Sequence, residues 1–311
     1  MIFFWLCQAD KSCDVKTCRQ IQTINESDKS IVYKKVRGRL GNTLNAYTML
    51  LMMRKLYGYD AYLLQESYDI LTRMFTEESI EVPVLEKTFC DIKSIKFQIY
   101  DGNFTELVKS KSSHANGKMY NLYPPKDKQV FLPEITNDYK RARTKTYLYL
   151  RQTMKIKPKF VASAKETFQK VAKKMGAPLD KITFVGIHHR RADMGAFAKQ
   201  AFNEKQPKKS FFYDAMDYFR EEYNPVAFLY VSDDMAWGKK NLKNKHKDLF
   251  FVGKENGDND EDVGHDFALL VGSNHTVTTL GSFSRWALIL NGGDTYSDYG
   301  PVIRSISNYI P

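Results

Sequence analysis

The 311 residues are 43% hydrophobic and 14% aromatic, enough to bury a large core and too apolar for a disordered polymer. A formal charge of +11 favours anionic partners, but the densest basic runs, Lys140 to Lys145 and Lys239 to Lys247, interleave no stacking aromatics. They read as solvated helix faces, which argues against nucleic acid as a partner.

Residues 1–30 read as a stem or irregular arm. Its only apolar run, Ile2-Phe3-Phe4-Trp5-Leu6, is far short of the ~20 residues of a membrane helix. No other stretch qualifies, so the chain is expected to be soluble or held by an anchor preceding Met1. Cys7, Cys13, Cys18 and Cys90 contain no Cys-x-x-Cys pair, which argues against structural zinc. They form either two disulfides, with three possible connectivities, or free thiols. Sequons stand at Asn25, Asn103 and Asn274. Asn25 and Asn103 are glycosylation candidates, with Asn103 in a polar stretch the better one; Asn274 opens a strand and is expected to be buried.

Ile31 to Val36 is a predicted strand, Leu44 to Tyr57 has apolar residues at helical spacing, and a glycine-bearing turn joins them. Ala61 to Leu64 is the next strand. The region from Met74 to Arg143 is mixed, with a break at Pro124-Pro125. Lys145 to Lys174 reads as one helix closed by Gly176-Ala177-Pro178. A second series follows: strand Thr183–His188, helix Phe211–Glu222, strands Val226–Ser232, Leu249–Val252 and Thr276–Leu280, then helix Ser284–Leu290. Strands alternating with helices imply parallel sheets covered on both faces. The expected fold is therefore α/β, with an N-terminal Rossmann-like domain over 31–175 and a C-terminal one over 176–311, facing a cleft.

Three segments carry candidate chemistry. In Gly38-Arg39-Leu40-Gly41-Asn42, glycines at a strand-to-helix turn let backbone approach an anion, Arg39 offers a forked phosphate contact, and Asn42 both donates and accepts. The plainer alternative is a tight turn with a capping Asn. In His188-His189-Arg190-Arg191-Ala192-Asp193, two adjacent arginines sit at the carboxyl end of a strand, where open α/β sheets bind ligands. A diphosphate suits their geometry; salt bridges to local acids would also hold them. His188 and His189, adjacent on a strand, point to opposite faces and do not share a metal. In Gly281-Ser282-Phe283-Ser284, hydroxyls and free amides at a helix N-terminus make a phosphate seat, unless Ser282 is only an N-cap. The acidic run Asp258 to Asp262 contains Asp-x-Asp but reads as a solvated loop, and no metal is expected.

Taken in order, these segments resemble the galactoside α-1,2-fucosyltransferases, glycosyltransferase family 11. Asp266-Phe267-Ala268-Leu269-Leu270, Asn274-His275-Thr276, Ser284 with Trp286-Ala287, Ser232-Asp233-Asp234 with Trp237, and Gly292-Gly293-Asp294-Thr295 extend the likeness from about residue 31 to 296. The resemblance implies a GT-B-like architecture, GDP-fucose as donor, no metal or other cofactor, inversion at the anomeric carbon and a terminal galactose as acceptor. It makes 31–175 the acceptor side and 176–311 the GDP-fucose-binding domain, and implies a Golgi enzyme on a membrane anchor. Carried over residue by residue, Arg190 and Arg191 neutralise the diphosphate. Arg39, Asn42, His188, Gly281, Ser282, Phe283 and Ser284 bind the donor, and Asp193 is the candidate base or an orienter of the arginines. Departures from the family pattern are His189, Ala192 and Met194 where Val, Gly and Tyr are usual, and Thr43 where Gln is common. They leave open another linkage, a protein acceptor, or a non-catalytic GDP-sugar- or glycan-binding relative.

Overall fold

The computed structural model describes residues 31–33, 39–88, 98–100, 119–122, 137–191, 199, 206–254, 259–298 and 300–303. The arm 1–30, all four cysteines, Asn25, Asn103, Gly38, Pro124-Pro125, Ala192, Asp193, Met194 and Asp258 lie outside them. The chain divides into two compact units, residues 1–73 with 77–146 and residues 74–76 with 147–311. The division falls at 146/147 rather than at the expected 175/176, because the segment after 147 packs with the second unit. Among the described residues no helix is long and apolar enough to cross a membrane.

In the first unit, strand β1 (Ile31–Tyr33) leads to helix α1 (Leu40–Tyr57), then β2 (Asp60–Tyr62), α2 (Gln65–Met74), α3 (Leu85–Thr88), β3 (Gln98–Tyr100) and β4 (Met119–Leu122). The four strands lie in the order β2-β1-β4-β3, all parallel. Helix α1 starts four residues before its expected beginning at Leu44, so Gly41 and Asn42 belong to its first turn and not to a loop. Arg39 is its N-cap residue, in extended backbone and without a side-chain cap; its carbonyl accepts from the Asn42 and Thr43 amides at 3.0 and 3.2 Å. Leu44, Tyr47, Leu50, Leu51 and Met53 are completely buried, which accounts for most of the helix's stability. Tyr47 is buried but polar at its tip: its hydroxyl accepts from the Glu81 amide and donates to the Ser79 carbonyl.

The single helix expected over Lys145 to Lys174 is two. Helix α4 (Asn137–Thr153) ends, and α5 (Pro158–Met175) begins with proline in its first turn. Proline has no N–H to extend α4 and forces Lys157, at ψ 137°, out of helical backbone. The intervening residues pair instead with Met74 to Thr76, through Thr76 N–H to Lys155 O and Lys157 N–H to Met74 O. Gly176, at φ 65°, caps α5.

The rest of the second unit runs β5 (Thr183–His189), α6 (Lys209–Glu222), β6 (Val226–Ser232), α7 (Met235–Asn241), β7 (Leu249–Phe251), α8 (Asp260–Gly272), β8 (His275–Thr278), α9 (Ser282–Asn291), β9 (Thr295–Ser297) and β10 (Gly300–Ile303). The sheet order is β10-β9-β8-β5-β6-β7, parallel except for the β10–β9 pair. Strand β6 is buried along its whole length, as expected for the centre of a parallel sheet. One face packs Val185, Ile187, Phe228 and Val277 with Phe212, Met216 and Phe219 of α6. Against β5 lies α8, close enough that a Cβ on Gly186 would meet Leu270 at 3.0 Å.

The acidic run is not a loop. Asp260, Glu261 and Asp262 form the first turn of α8, where their charge complements the helix dipole. Asn259 caps this turn by accepting from the Asp262 amide at 2.8 Å, and Glu261 pairs with Lys159. Asn274 is exposed rather than buried, although its Oδ1 accepts from the Phe184 amide at 2.8 Å.

Gly293 explains part of the Gly-Gly-Asp-Thr segment. A Cβ there would lie 1.8 Å from the Asn274 carbonyl oxygen, a backbone atom with no freedom to rotate away. Asn291 meanwhile donates to carbonyls at the end of α8, including Leu270 and Val271, and accepts from the Gly293 amide. Gly293→Ala is expected to destabilise this unit by about 1–3 kcal/mol. Thermal unfolding checks this, and a transition at the wild-type temperature would show that the junction yields.

Candidate active site

Strands β8, β5 and β6 are parallel neighbours, so their carboxyl ends open on the same edge of the sheet. The residues that follow them are Thr279 to Ser282, Arg190-Arg191 and Asp233-Asp234. Alternation along β5 sends its last two histidines to opposite faces, as expected. On one face, His188 Nδ1 lies 2.5 Å from Ser284 Oγ and its ring packs 5.0 Å from that of Phe283. On the other, His189 Nδ1 lies 2.8 Å from the Tyr230 hydroxyl, with Phe212 and Trp237 against the ring. Burial, reinforced by the neighbouring Arg190 and Arg191 respectively, lowers both rings to about 3, so both are neutral at physiological pH.

Beyond the strand, each arginine is held by backbone and side chain. The Arg190 amide donates to Thr279 Oγ1 at 3.1 Å, and Arg190 Nη1 lies 3.2 Å from Asp233 Oδ2. The Arg191 amide donates to the other oxygen of Asp233 at 2.7 Å. Arg191 Nε donates to Asp234 Oδ2 at 3.0 Å, and its guanidinium stacks 4.6 Å from the Trp237 ring. Asp234 is itself fixed, because its Oδ1 accepts from the Trp237 amide as the N-cap of α7. That hydrogen bond and the Arg191 charge hold its carboxyl below the usual carboxylate range, against an opposing effect of burial. The Arg pair is thus bridged to local acids, and about a quarter of each arginine side chain stays exposed. A guanidinium has five N–H donors, so the contact through Nε leaves the Nη donors of Arg191 outside that ion pair.

Next to this pair, Gly281 precedes α9 at φ 145°, a conformation closed to residues with a Cβ. It is the N-cap residue and makes no side-chain cap; Ser282 is therefore the first helical residue and not the cap. The first-turn amides of such a helix lack intrahelical acceptors. Ser282 and Phe283 are partly exposed, whereas Ser284 is buried and its hydroxyl is turned to His188. The structure thus brings His188, Arg190, Arg191 and Gly281 to Ser284 together. Arg39 and Asn42 are exposed residues of the first unit, and Asp193 lies outside the described residues.

Sequence reading misses several parts. The acids that hold the arginines, Asp233 and Asp234, enter it only as part of a likeness; their signal is an Asp pair ending a strand next to β5. Thr279 and Trp237 have no role assigned. Asp266 is buried in the second unit. Its carboxylate sits 2.9 Å from His265 Nδ1 and 3.3 Å from the Lys254 amide, and His265 Nε2 meets Thr167 Oγ1 at 3.0 Å. Burial raises its carboxyl, opposed by those contacts.

The sequence model described as Glycosyl transferase family 11 matches residues 6–297. The chain belongs to glycosyl transferase family 11. Among relatives, galactoside alpha-(1,2)-fucosyltransferase 2 of Pongo pygmaeus is 29% identical, over 83% of this chain and 68% of that protein. Galactoside 2-alpha-L-fucosyltransferase SEC1 of Bos taurus is 27% identical, over 83% of this chain and 64% of that protein. The chain thus spans about two thirds of the length of these relatives. Among solved structures, a mutant of Arabidopsis thaliana FUT1 in complex with GDP matches at TM-score 0.56 and 11% identity, over 90% of this chain and 74% of that one. NodZ alpha-1,6-fucosyltransferase co-crystallized with GDP matches at TM-score 0.52 and 12% identity, over 89% and 99%. These likenesses give the chain the α/β, GT-B-like fold expected from the sequence.

Proposed function

We propose that this chain is an inverting fucosyltransferase that moves L-fucose from GDP-fucose to a hydroxyl of a galactoside acceptor, in α-1,2 linkage. One observation carries the reading: Arg190 and Arg191 are fixed by Asp233 and Asp234 at the carboxyl end of β5, beside the N-terminus of α9. Fixed guanidinium groups beside helix amides suit the two phosphates of a nucleoside diphosphate. The names of the family 11 relatives supply the fucose, the galactoside and the linkage.

In this reading the acceptor oxygen attacks fucose C1 while the bond from C1 to the β-phosphate oxygen breaks. GDP leaves with the bonding electrons. Arg190 and Arg191 take up the charge that builds on the phosphate, and Ser282 and the α9 amides hold the same group. His188, Gly281, Phe283 and Ser284 shape the seat from behind, and the resemblance adds Arg39 and Asn42 as donor-binding residues. Asp193 receives the acceptor proton. The arginines supply the positive charge that a divalent ion would otherwise bring, so the reaction is proposed to run without metal. Glycans at Asn25 and Asn103 and a Golgi-lumen location, with membrane attachment through an anchor, belong to the same reading by resemblance to the family.

Calorimetric titration with GDP, with and without EDTA, tests it. Micromolar binding indifferent to the chelator is expected. No binding, or binding abolished by EDTA, would overturn the proposed seat.

A further inference from the structure

His189 is a polar residue at a fully buried position of β5. Its ring lies 4.6 Å from that of Phe212 and 4.8 Å from that of Trp237. Nδ1 faces the Tyr230 hydroxyl at 2.8 Å, while Nε2 is buried without a partner at full hydrogen-bond geometry. A second buried atom has the same standing, Gln206 Oε1. The Gln206 side chain bonds to the backbone of Arg191, two residues along from His189, so the two orphaned atoms belong to neighbouring groups. At its other end, Gln206 Nε2 donates to the Arg191 carbonyl at 3.2 Å.

Chemistry fixes the polarity of this arrangement. The Arg191 carbonyl only accepts, so the Gln206 nitrogen must face it, which leaves the Gln206 oxygen as an acceptor open to His189. An amide oxygen also only accepts, so His189 can pair with it only with its hydrogen on Nε2. In a neutral imidazole Nδ1 is then the acceptor, and Tyr230 donates to it. The opposite tautomer would set the Nε2 lone pair against the oxygen of Gln206, two buried acceptors with no hydrogen between them, at a cost that buried polar groups rarely bear.

We propose that Tyr230, His189 and Gln206 form a one-way hydrogen-bond relay ending on the Arg191 carbonyl, which makes His189 and Gln206 positioning residues for the diphosphate grip. The positioning role rests on Arg190 and Arg191 being the diphosphate site. Asp233 holds the amide of Arg191, the relay holds its carbonyl, and Asp234 holds its Nε, so the guanidinium is presented in one geometry before ligand arrives.

Two measurements test it. Long-range ¹H–¹⁵N NMR on histidine-labelled protein reads the tautomer directly, and a merely structural role for His189 would not dictate one. The expected result is a neutral His189 with hydrogen on Nε2. Hydrogen on Nδ1 overturns the relay. Calorimetry with GDP then compares Gln206→Met, His189→Val and the double variant, each checked for fold by near-ultraviolet circular dichroism. Each single change should weaken GDP binding about tenfold, and the double variant no more than either, since one break suffices. Wild-type affinity in a folded Gln206→Met overturns the positioning role. Arg191→Ala is the reference. If it binds GDP as tightly as wild type, or wild type binds none, the diphosphate reading fails and takes the positioning role with it, while the tautomer still judges the relay.

Discussion

Replacing Arg190 by Ala should lower turnover with GDP-fucose by about 10²–10³-fold and weaken GDP binding in the same variant. The guanidinium sits past the last residue of β5, tied to Asp233 at 3.2 Å, with its own amide tied to Thr279. It is therefore already oriented when the leaving phosphate develops charge, and an oriented charge needs no reorganisation during the reaction. Arg190→Lys should recover little, because a point charge on a flexible stem does not reproduce a planar fork. Asp193→Asn supplies the contrast: with the proposed proton acceptor lost and the cations intact, turnover should fall while GDP affinity holds. Initial rates with a galactoside acceptor, calorimetry with GDP, and a melting curve for fold read all of these. A folded Arg190→Ala with near-normal turnover would place the diphosphate elsewhere.

How much of this is legible without coordinates depends on whether the signal is local. Strand β6 matches its expected span to the residue, and β5 ends one residue beyond its expected limit at His188, because a run of buried apolar residues marks a central parallel strand by itself. The break before Pro158 is equally local and escapes the sequence reading, because helical spacing on both sides outweighs one proline. The acidic run looks like a loop from its charge, although Asn259 followed by acids is a helix start. The partners of the arginines are a different matter. Asp233 reaches Arg190 and Arg191 only because β6 lies next to β5, and Thr279 reaches Arg190 only because β8 lies on the other side. Strand order is a property of the fold, so no motif could assign those roles. Gln206 is hidden because it stands fifteen residues beyond Arg191 in the sequence and meets its carbonyl only in the fold.

The two histidines that end β5 should make the protein unusually sensitive to mild acid. Folded, each ring titrates at about 3, chiefly because it is buried, and next because Arg190 or Arg191 lies beside it. Unfolded, each returns to about 6.5. Between those values the unfolded chain binds more protons than the folded one, so stability rises with pH and is lost as pH falls below the unfolded value. By pH 5 the cost is about 2 kcal/mol per ring, and it depends on the unfolded value alone as long as the folded one lies well below 5. Burial lowers His275 too, which adds in the same direction. Asp266 works the other way: its raised carboxyl binds its proton more readily in the folded chain, so it recovers part of the loss at the acid end of the window. Against a typical total of roughly 5–15 kcal/mol, two such rings are a large fraction. Urea unfolding followed by tryptophan fluorescence at pH 7.5 and pH 5 measures the loss, since Trp237 lies against the His189 ring. His189→Val, which leaves His188 in place, should remove about half of what these two rings contribute. A variant whose midpoint falls between the two pH values as far as wild type's would mean that His189 is already protonated in the folded chain, or that its unfolded state takes up no extra proton there.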